Sequence, residues 1–322
     1  MLIFITGHRK SGTTLLHSLF DNHPDIDVYP TDFTFFYSYF PYYTKNLKNK
    51  KKLIERIMLI TNNTINRYFI KKKILTRKEI LFFNKKLSKK LEKINLRSKK
   101  SIFKVIINHW INLKGKRIKK KILIKETSQS IYFDEYKKIF PNLKMINIVR
   151  DPRDNFASIK SGQKKYYSKI GLSYLQNFAN VLFRSRQDLL SCFYNKKNKR
   201  FKFITYENLV KNPKKTMKRL CLFLKIKYSD ILINPTFGGN KFYGNNFNKE
   251  FIGISKKNAN NWRKRITSEE SNIIEFYLSD MLKIYKYKTF SNKIKIKKDF
   301  SKFNDLINSK YFFVDSFKNV KK

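Results

Sequence analysis

The chain is poor in glycine, proline and cysteine, with 9, 7 and 2 among its 322 residues. Two cysteines, Cys192 and Cys221, make neither a disulfide framework nor a metal quartet, so a reducing, cytoplasmic setting is expected. The four histidines, His8, His17, His23 and His109, are too scattered for a zinc site, and no metal is expected. Long apolar runs are also missing. The aromatic stretch from Phe33 to Tyr43 is interrupted by Ser38 and Pro41 and is too short to span a bilayer. The first residues already read as a strand, so no leader segment is expected before the fold.

Acidic residues are scarce as well: 23 Asp or Glu face 72 Lys or Arg, a net charge of +49. Such a charge suits a polyanion partner. Yet Lys, Asn, Ile, Phe and Tyr are all abundant while Gly, Ala, Pro and Arg are sparse, the signature of AT-rich coding. Compositional drift is therefore the favoured reading, and no specific nucleic acid is expected. Hydrophobic residues make up 41%, enough for a real core, and 322 residues can hold one large domain or two small ones.

Apolar runs resembling buried parallel strands occur at Leu2 to Thr6, Ile122 to Lys125, Lys144 to Val149 and Phe201 to Thr205. Helical patterns lie between or after them, at Thr13 to Asp21, Asn155 to Lys160, Asn177 to Phe193, Lys214 to Leu224 and Glu269 to Lys283. Strands alternating with helices predict an α/β fold around a central parallel sheet. Residues 45 to 121 differ: they hold 27 Lys or Arg against 3 Glu. Their apolar spacing predicts helices inserted after the first βα unit, with the lysines on a solvated face. The expected organisation is one domain over 1–290, carrying this insertion, and a lysine-rich tail over 291–322.

The first strand feeds Gly7-His8-Arg9-Lys10-Ser11-Gly12-Thr13-Thr14. A glycine-bounded loop between a strand and a helix cradles phosphate on backbone N–H groups. A nucleotide kinase carries a lysine directly after the second glycine; here Thr13 stands there and the lysine is earlier, at Lys10. A cation at that place can lie beside the bond between an anchored 5′-phosphate and a transferred group. The Thr13 and Thr14 hydroxyls and the helix N–H groups would hold the phosphate.

A second element begins where the strand Met145 to Val149 ends, at Arg150-Asp151-Pro152-Arg153-Asp154, and runs into a helix containing Ser158. Open α/β sheets bind ligands at the C-terminal ends of their strands. A guanidinium and a hydroxyl placed there can clamp a second phosphate.

In this order, the two elements resemble those of the 3′-phosphoadenosine 5′-phosphosulfate (PAPS)-dependent sulfotransferases. Lys10-Ser11-Gly12-Thr13-Thr14 matches that family's loop, and Arg150 with Ser158 matches its 3′-phosphate clamp. Tyr206-Glu207-Asn208-Leu209 is similar to a segment whose tyrosine contacts adenine, and Trp262-Arg263-Lys264 to a late segment that closes over the nucleotide. His23-Pro24-Asp25 after the first helix is closest to the carbohydrate and tyrosyl-protein branch. The resemblance implies a P-loop-containing three-layer fold and a metal-independent enzyme. That enzyme moves a sulfuryl group from PAPS to a hydroxyl or amine, with a glycan or glycolipid as expected acceptor. It assigns the nucleotide to Arg9, Lys10, Ser11, Gly12, Thr13, Thr14, Arg150, Ser158, Tyr206, Trp262 and Arg263. Lys10 would neutralise the leaving group. Asp32 and Glu126 are both candidates for the base. Lys125-Glu126-Thr127 reverses the family's common Glu-Lys-Thr order, so the two stay open. The acceptor pocket would come from variable loops, within 33–121 and around Tyr166 to Leu175. The rival readings are a P-loop kinase, which lacks its lysine here, and a non-enzymatic polyanion binder, for which the insertion offers few stacking aromatics.

Overall fold

The computed structural model describes residues 1–33, 49–58, 76–113, 119–171, 173–242 and 253–290. In chain order the elements are β1 (Leu2–Thr6), α1 (Thr13–Leu19), β2 (Ile26–Asp32) and α2 (50–58). Then come α3 (Arg77–Glu92), α4 (Lys99–Leu113), β3 (Lys121–Lys125), α5 (Phe133–Ile139) and β4 (Lys144–Val149). These are followed by α6 (Pro152–Lys160), α7 (Tyr174–Asn195), β5 (Phe201–Thr205), α8 (Tyr206–Lys211) and α9 (Pro213–Leu224). A short hairpin, β6 (Thr236–Phe237) and β7 (Asn240–Lys241), precedes α10 (Ser268–Tyr277) and α11 (Ser279–Ile284).

The five main strands form one parallel sheet in the order β2-β3-β1-β4-β5. Period-2 alternation splits the core between its two faces. Phe4, Ile124, Met145 and Val149 join α7 residues such as Phe178 and Leu182 on one face. Ile3, Ile5, Leu123, Ile146 and Ile148 join Leu16 of α1 and Leu220 of α9 on the other. Each fully buried Leu, Ile or Phe contributes about 1.5–3 kcal/mol relative to an exposed one. Helices on both faces make the three-layer α/β architecture that the sequence predicts.

All four expected strands are present, with bounds within one residue of the apolar runs. β2 was not expected. Its sequence, Ile-Asp-Val-Tyr-Pro-Thr-Asp, has no apolar run and carries a proline, and it pairs only with β3 in an irregular register. Proline and polar residues are tolerated there because an edge strand leaves one side of its backbone unpaired. The single helix expected over Glu269 to Lys283 is two, because the backbone leaves the helical region at Leu278 (φ −117°).

Within the basic insertion, the described parts are helical. Ile80, Phe83, Leu87 and Leu91 of α3 face inward with Ile102, Ile106 and Trp110 of α4, while Lys85, Lys86, Lys89 and Lys90 are exposed. The charge therefore sits on the outer face of an amphipathic pair. The aromatic stretch after Phe33 and the tail over 291–322 lie outside the described residues.

The sheet order places β1 between β3 and β4. The chain leaves β1 toward β2 on one side and leaves β4 toward β5 on the other. Loops diverging from adjacent strands open a crevice at their C-terminal ends, which is where such sheets bind ligands.

Candidate functional site

The first wall of that crevice is the loop after β1. Gly7 (φ +145°) and Gly12 (φ +102°) adopt conformations that side chains disfavour, and Lys10 itself is left-handed at φ +68°. Space makes the same demand. A Cβ on Gly7 would lie 2.3 Å from the Ile148 carbonyl oxygen of β4, and one on Gly12 would lie 2.5 Å from the Tyr206 ring. The Ser11 N–H donates to the His8 carbonyl at 3.0 Å, closing the turn. Ser11 Oγ is buried with no hydrogen-bond partner among the described residues. Thr13 and Thr14 open α1.

Arg150 is the second wall, at the end of β4. Its Nη1 donates to the Lys10 carbonyl at 2.7 Å and its Nη2 to the Asn258 carbonyl. Its guanidinium carbon stands 4.4 Å from the centre of the Tyr206 ring. Sequence reading had nominated Lys10, Gly12, Arg150 and Tyr206 from distant segments; the fold brings them into contact. Ser158 lies in the second turn of α6, half-buried. Asp151 caps that helix by accepting from the Arg153 N–H, with Pro152 at the first helical position.

Cations crowd this crevice. Burial, together with Arg9, Arg150 and Arg265, pushes the Lys10 ammonium down from its ordinary 10.5 to about 7. Arg9 is anchored through Nη2 to Asn177 Oδ1 at 3.1 Å and lies 4.7 Å from the Tyr167 ring centre. Arg265 was missed by sequence reading. Its Nη2 donates to the Ala157 carbonyl at 3.0 Å and to Ser161 Oγ at 2.7 Å, both at the C-terminal end of α6. Burial and then Arg150 lower its pKa, so it stands beside the same cluster.

The nominated Arg263 is placed differently. It is exposed and stacks on Trp262 at 4.6 Å and on Phe290 at 4.0 Å. Trp262 is buried and also carries Arg153 at 4.3 Å. Arg153 in turn is ion-paired with Asp151 and Glu275. Trp262 thus anchors the segment, which Asp154 ties down by accepting from the Asn260 and Asn261 N–H groups at 2.7 and 3.1 Å. Three cations follow that tryptophan within three residues, and nothing local distinguishes the third.

Both candidate bases lie at the C-terminal ends of neighbouring strands. Asp32, ending β2, is ion-paired with Lys125 of β3; the aspartate side chain is 30% exposed and the lysine 4%. Glu126, directly after β3, is buried. Its Oε1 accepts from the Thr127 N–H at 2.7 Å, and its Oε2 has no partner among the described residues. Burial, helped by the Asp32 charge, pushes Glu126 up to about 8. The segment adjoins the loop, since the Ser128 N–H donates to the Gly7 carbonyl at 3.0 Å. Among the described residues, no group of three or more His, Cys, Asp or Glu is arranged to hold a metal ion. No helix among them is long and apolar enough to cross a membrane.

Residues 3–230 match the model of the sulfotransferase family, which is most of the chain, and the protein belongs to that family. It is accordingly an enzyme that transfers sulfuryl groups. The structure resembles the sulfotransferase domain of the curacin biosynthetic pathway, with a TM-score of 0.58 and 17% identity over 89% of this chain and 98% of that one. It also resembles the sulfotransferase domain of the Synechococcus PCC 7002 olefin synthase, with a TM-score of 0.56 and 16% identity over 90% of this chain and 95% of that one. At such identities the likeness concerns the fold. No curated protein matches the sequence.

Proposed function

We propose that the donor is PAPS and that its sulfuryl group passes in line to a hydroxyl or amine acceptor, releasing adenosine 3′,5′-bisphosphate. The observation that carries this reading is the hydrogen bond from Arg150 to the Lys10 carbonyl, which joins the two phosphate-binding elements across one crevice. A bisphosphorylated nucleotide needs two anion sites a ribose apart, and the fold supplies two walls that touch. The residues suit that ligand. Ser11 Oγ is a buried donor with no partner among the described residues, and Arg9, Arg150 and Arg265 crowd Lys10 and hold its ammonium down, a repulsion that an anion would relieve. The loop N–H groups with Ser11, Thr13 and Thr14 would hold the 5′-phosphate, and Arg150, Ser158 and Arg265 the 3′-phosphate. Tyr206 would border the nucleotide, while Trp262 and Arg263 act through the segment they stabilise.

The donor supplies a sulfur whose bond to the bridging oxygen breaks as the acceptor atom bonds to it. The electron pair leaves with the 5′-phosphate, and Lys10 is the adjoining cation that can neutralise it. The acceptor proton goes to a carboxylate. Geometry ranks before proton affinity in choosing that base. Asp32 is partly exposed beside Lys125, so an acceptor can reach it; Glu126 is buried, and burial holds its proton more tightly than usual. We assign the base to Asp32. A glycan or glycolipid hydroxyl is the proposed acceptor, on the motif order after the first helix alone.

Calorimetric titration at moderate salt tests the donor. Adenosine 3′,5′-bisphosphate should bind more tightly than ATP, and Arg150→Ala should remove that preference. Equal binding of both by the wild type would refute the reading. For the base, Asp32→Asn should lower kcat by about 10²–10⁴-fold, with Glu126→Gln retaining most turnover. The reverse ranking would transfer the role to Glu126.

A further inference from the structure

Arg150 also lines a cavity of about 10 Å³, together with His8, Asn147, Asn155, Ser185 and Asp188. Eight buried side-chain atoms among the described residues lack a hydrogen-bond partner, and four of them belong to this one lining: Asn147 Oδ1, Arg150 Nε, Asn155 Oδ1 and Ser185 Oγ. The four residues come from β4, the turn after it, α6 and α7, so no local sequence pattern unites them. All are buried. A buried donor or acceptor left unpaired forfeits its hydration with nothing in return. Four around one cavity make a shared partner the economical solution.

The chemistry of the four atoms selects that partner. The two amide oxygens are acceptors, Arg150 Nε–H is a donor, and the Ser185 hydroxyl can be either. Asn155 is oriented by its neighbour in the lining: its Nδ2 lies 3.2 Å from His8 Nδ1. Burial pushes His8 down to about 3, so the ring is neutral and its Nδ1 can accept that amide proton. The amide oxygen is thereby left for the cavity. Two acceptors, one donor and one hydroxyl equal the four hydrogen bonds of a single water. A cation is disfavoured by the guanidinium, and an anion by the two amide oxygens with Asp188. A volume of about 10 Å³ is close to the least that holds a water.

We propose that one buried water occupies this cavity and is the third support of Arg150, making Asn147, Asn155 and Ser185 positioning residues for the guanidinium. The other two supports are the Lys10 and Asn258 carbonyls on Nη1 and Nη2. With all three nitrogens held, the guanidinium cannot swing, and its remaining N–H groups keep one direction. The functional half rests on the proposed role of Arg150 at the 3′-phosphate; the water itself does not.

Two measurements test it. A crystal structure of the full chain near 1.8 Å resolution should show one ordered water within about 3.2 Å of at least three of the four atoms. Absence of that density, or an Asn155 amide turned away from the cavity, overturns the site. Second, affinities for adenosine 3′,5′-bisphosphate and adenosine 5′-monophosphate are compared by calorimetry in wild type and Ser185→Ala, with a thermal melt of each protein. The expected result is a roughly tenfold fall in the bisphosphate-to-monophosphate affinity ratio, the scale of one hydrogen bond to a charged group. Equal weakening of both nucleotides, or none, overturns the positioning role. Should the wild type itself ignore the 3′-phosphate, the donor reading fails, and the density still decides for or against the water.

Discussion

Binding of a bisphosphate nucleotide should draw a proton into the protein, and Lys10 should be where it goes. In the free enzyme this ammonium is held down to about 7 by burial and by Arg9, Arg150 and Arg265. Two phosphates would neutralise those guanidiniums and restore Lys10 toward its ordinary value of 10.5. At pH 8 a group titrating near 7 is about one-tenth protonated, so full charging on binding takes up roughly 0.9 proton per nucleotide. Phosphate monoesters lose their second proton near pH 6, so at pH 8 the nucleotide itself contributes little. Linkage then makes affinity fall about eightfold per pH unit around pH 8. The assay is calorimetric titration with adenosine 3′,5′-bisphosphate in buffers of different ionisation enthalpy; the slope of observed against buffer enthalpy is the proton count. Lys10→Met should bring that count close to zero while leaving binding measurable. An uptake below about 0.2 proton in the wild type, or an unchanged uptake in Lys10→Met, would refute the reasoning. The same depression has a sign for folding. Between pH 7 and 10.5 the unfolded chain binds more protons at this lysine than the folded one. Its contribution to the stability of the nucleotide-free protein therefore rises with pH across that window.

Two further substitutions probe the frame of the site. Gly12→Ala places a Cβ 2.5 Å from the Tyr206 ring at φ +102°, and should cost about 1–3 kcal/mol, read as a lower thermal midpoint. A midpoint within a degree of wild type would show that the loop and Tyr206 are not packed as described. Glu275→Ala removes one partner of the buried Arg153 guanidinium, leaving Asp151 alone, and should cost about 3–5 kcal/mol in denaturant unfolding. A loss under 1 kcal/mol would mean that Asp151 alone compensates the charge.

Much of this architecture was legible in the chain. The runs Leu2 to Thr6 and Lys144 to Val149 are buried on both faces, so their near-continuous apolar sequence names them as central strands. β2 escaped because an edge strand need not satisfy that rule, and with it went the strand that carries Asp32. Helix starts were less legible: the apolar pattern begins at Asn177 and Glu269, whereas α7 and α10 open at Tyr174 and Ser268 behind capping boxes of Ser173 with Gln176 and Thr267 with Glu270. The break at Leu278 carries no such mark, and the amphipathic pattern runs on across it.

At the site the division follows the range of the forces involved. The proposed phosphate loop depends on glycine spacing and on a strand running directly into a helix, both local, so the residues from Gly7 to Thr14 suggest it. The proposed clamp at Arg150 depends on a strand end, which is local as well. Charge and contact are not local. Whether Arg263 or Arg265 stands beside Lys10, whether Trp262 is free or covered, and how strongly Glu126 holds its proton depend on distances between residues that lie far apart in the sequence. They depend too on burial, which weakens solvent screening. Those were decided only when β1, β3 and β4 came together and closed the crevice around the loop.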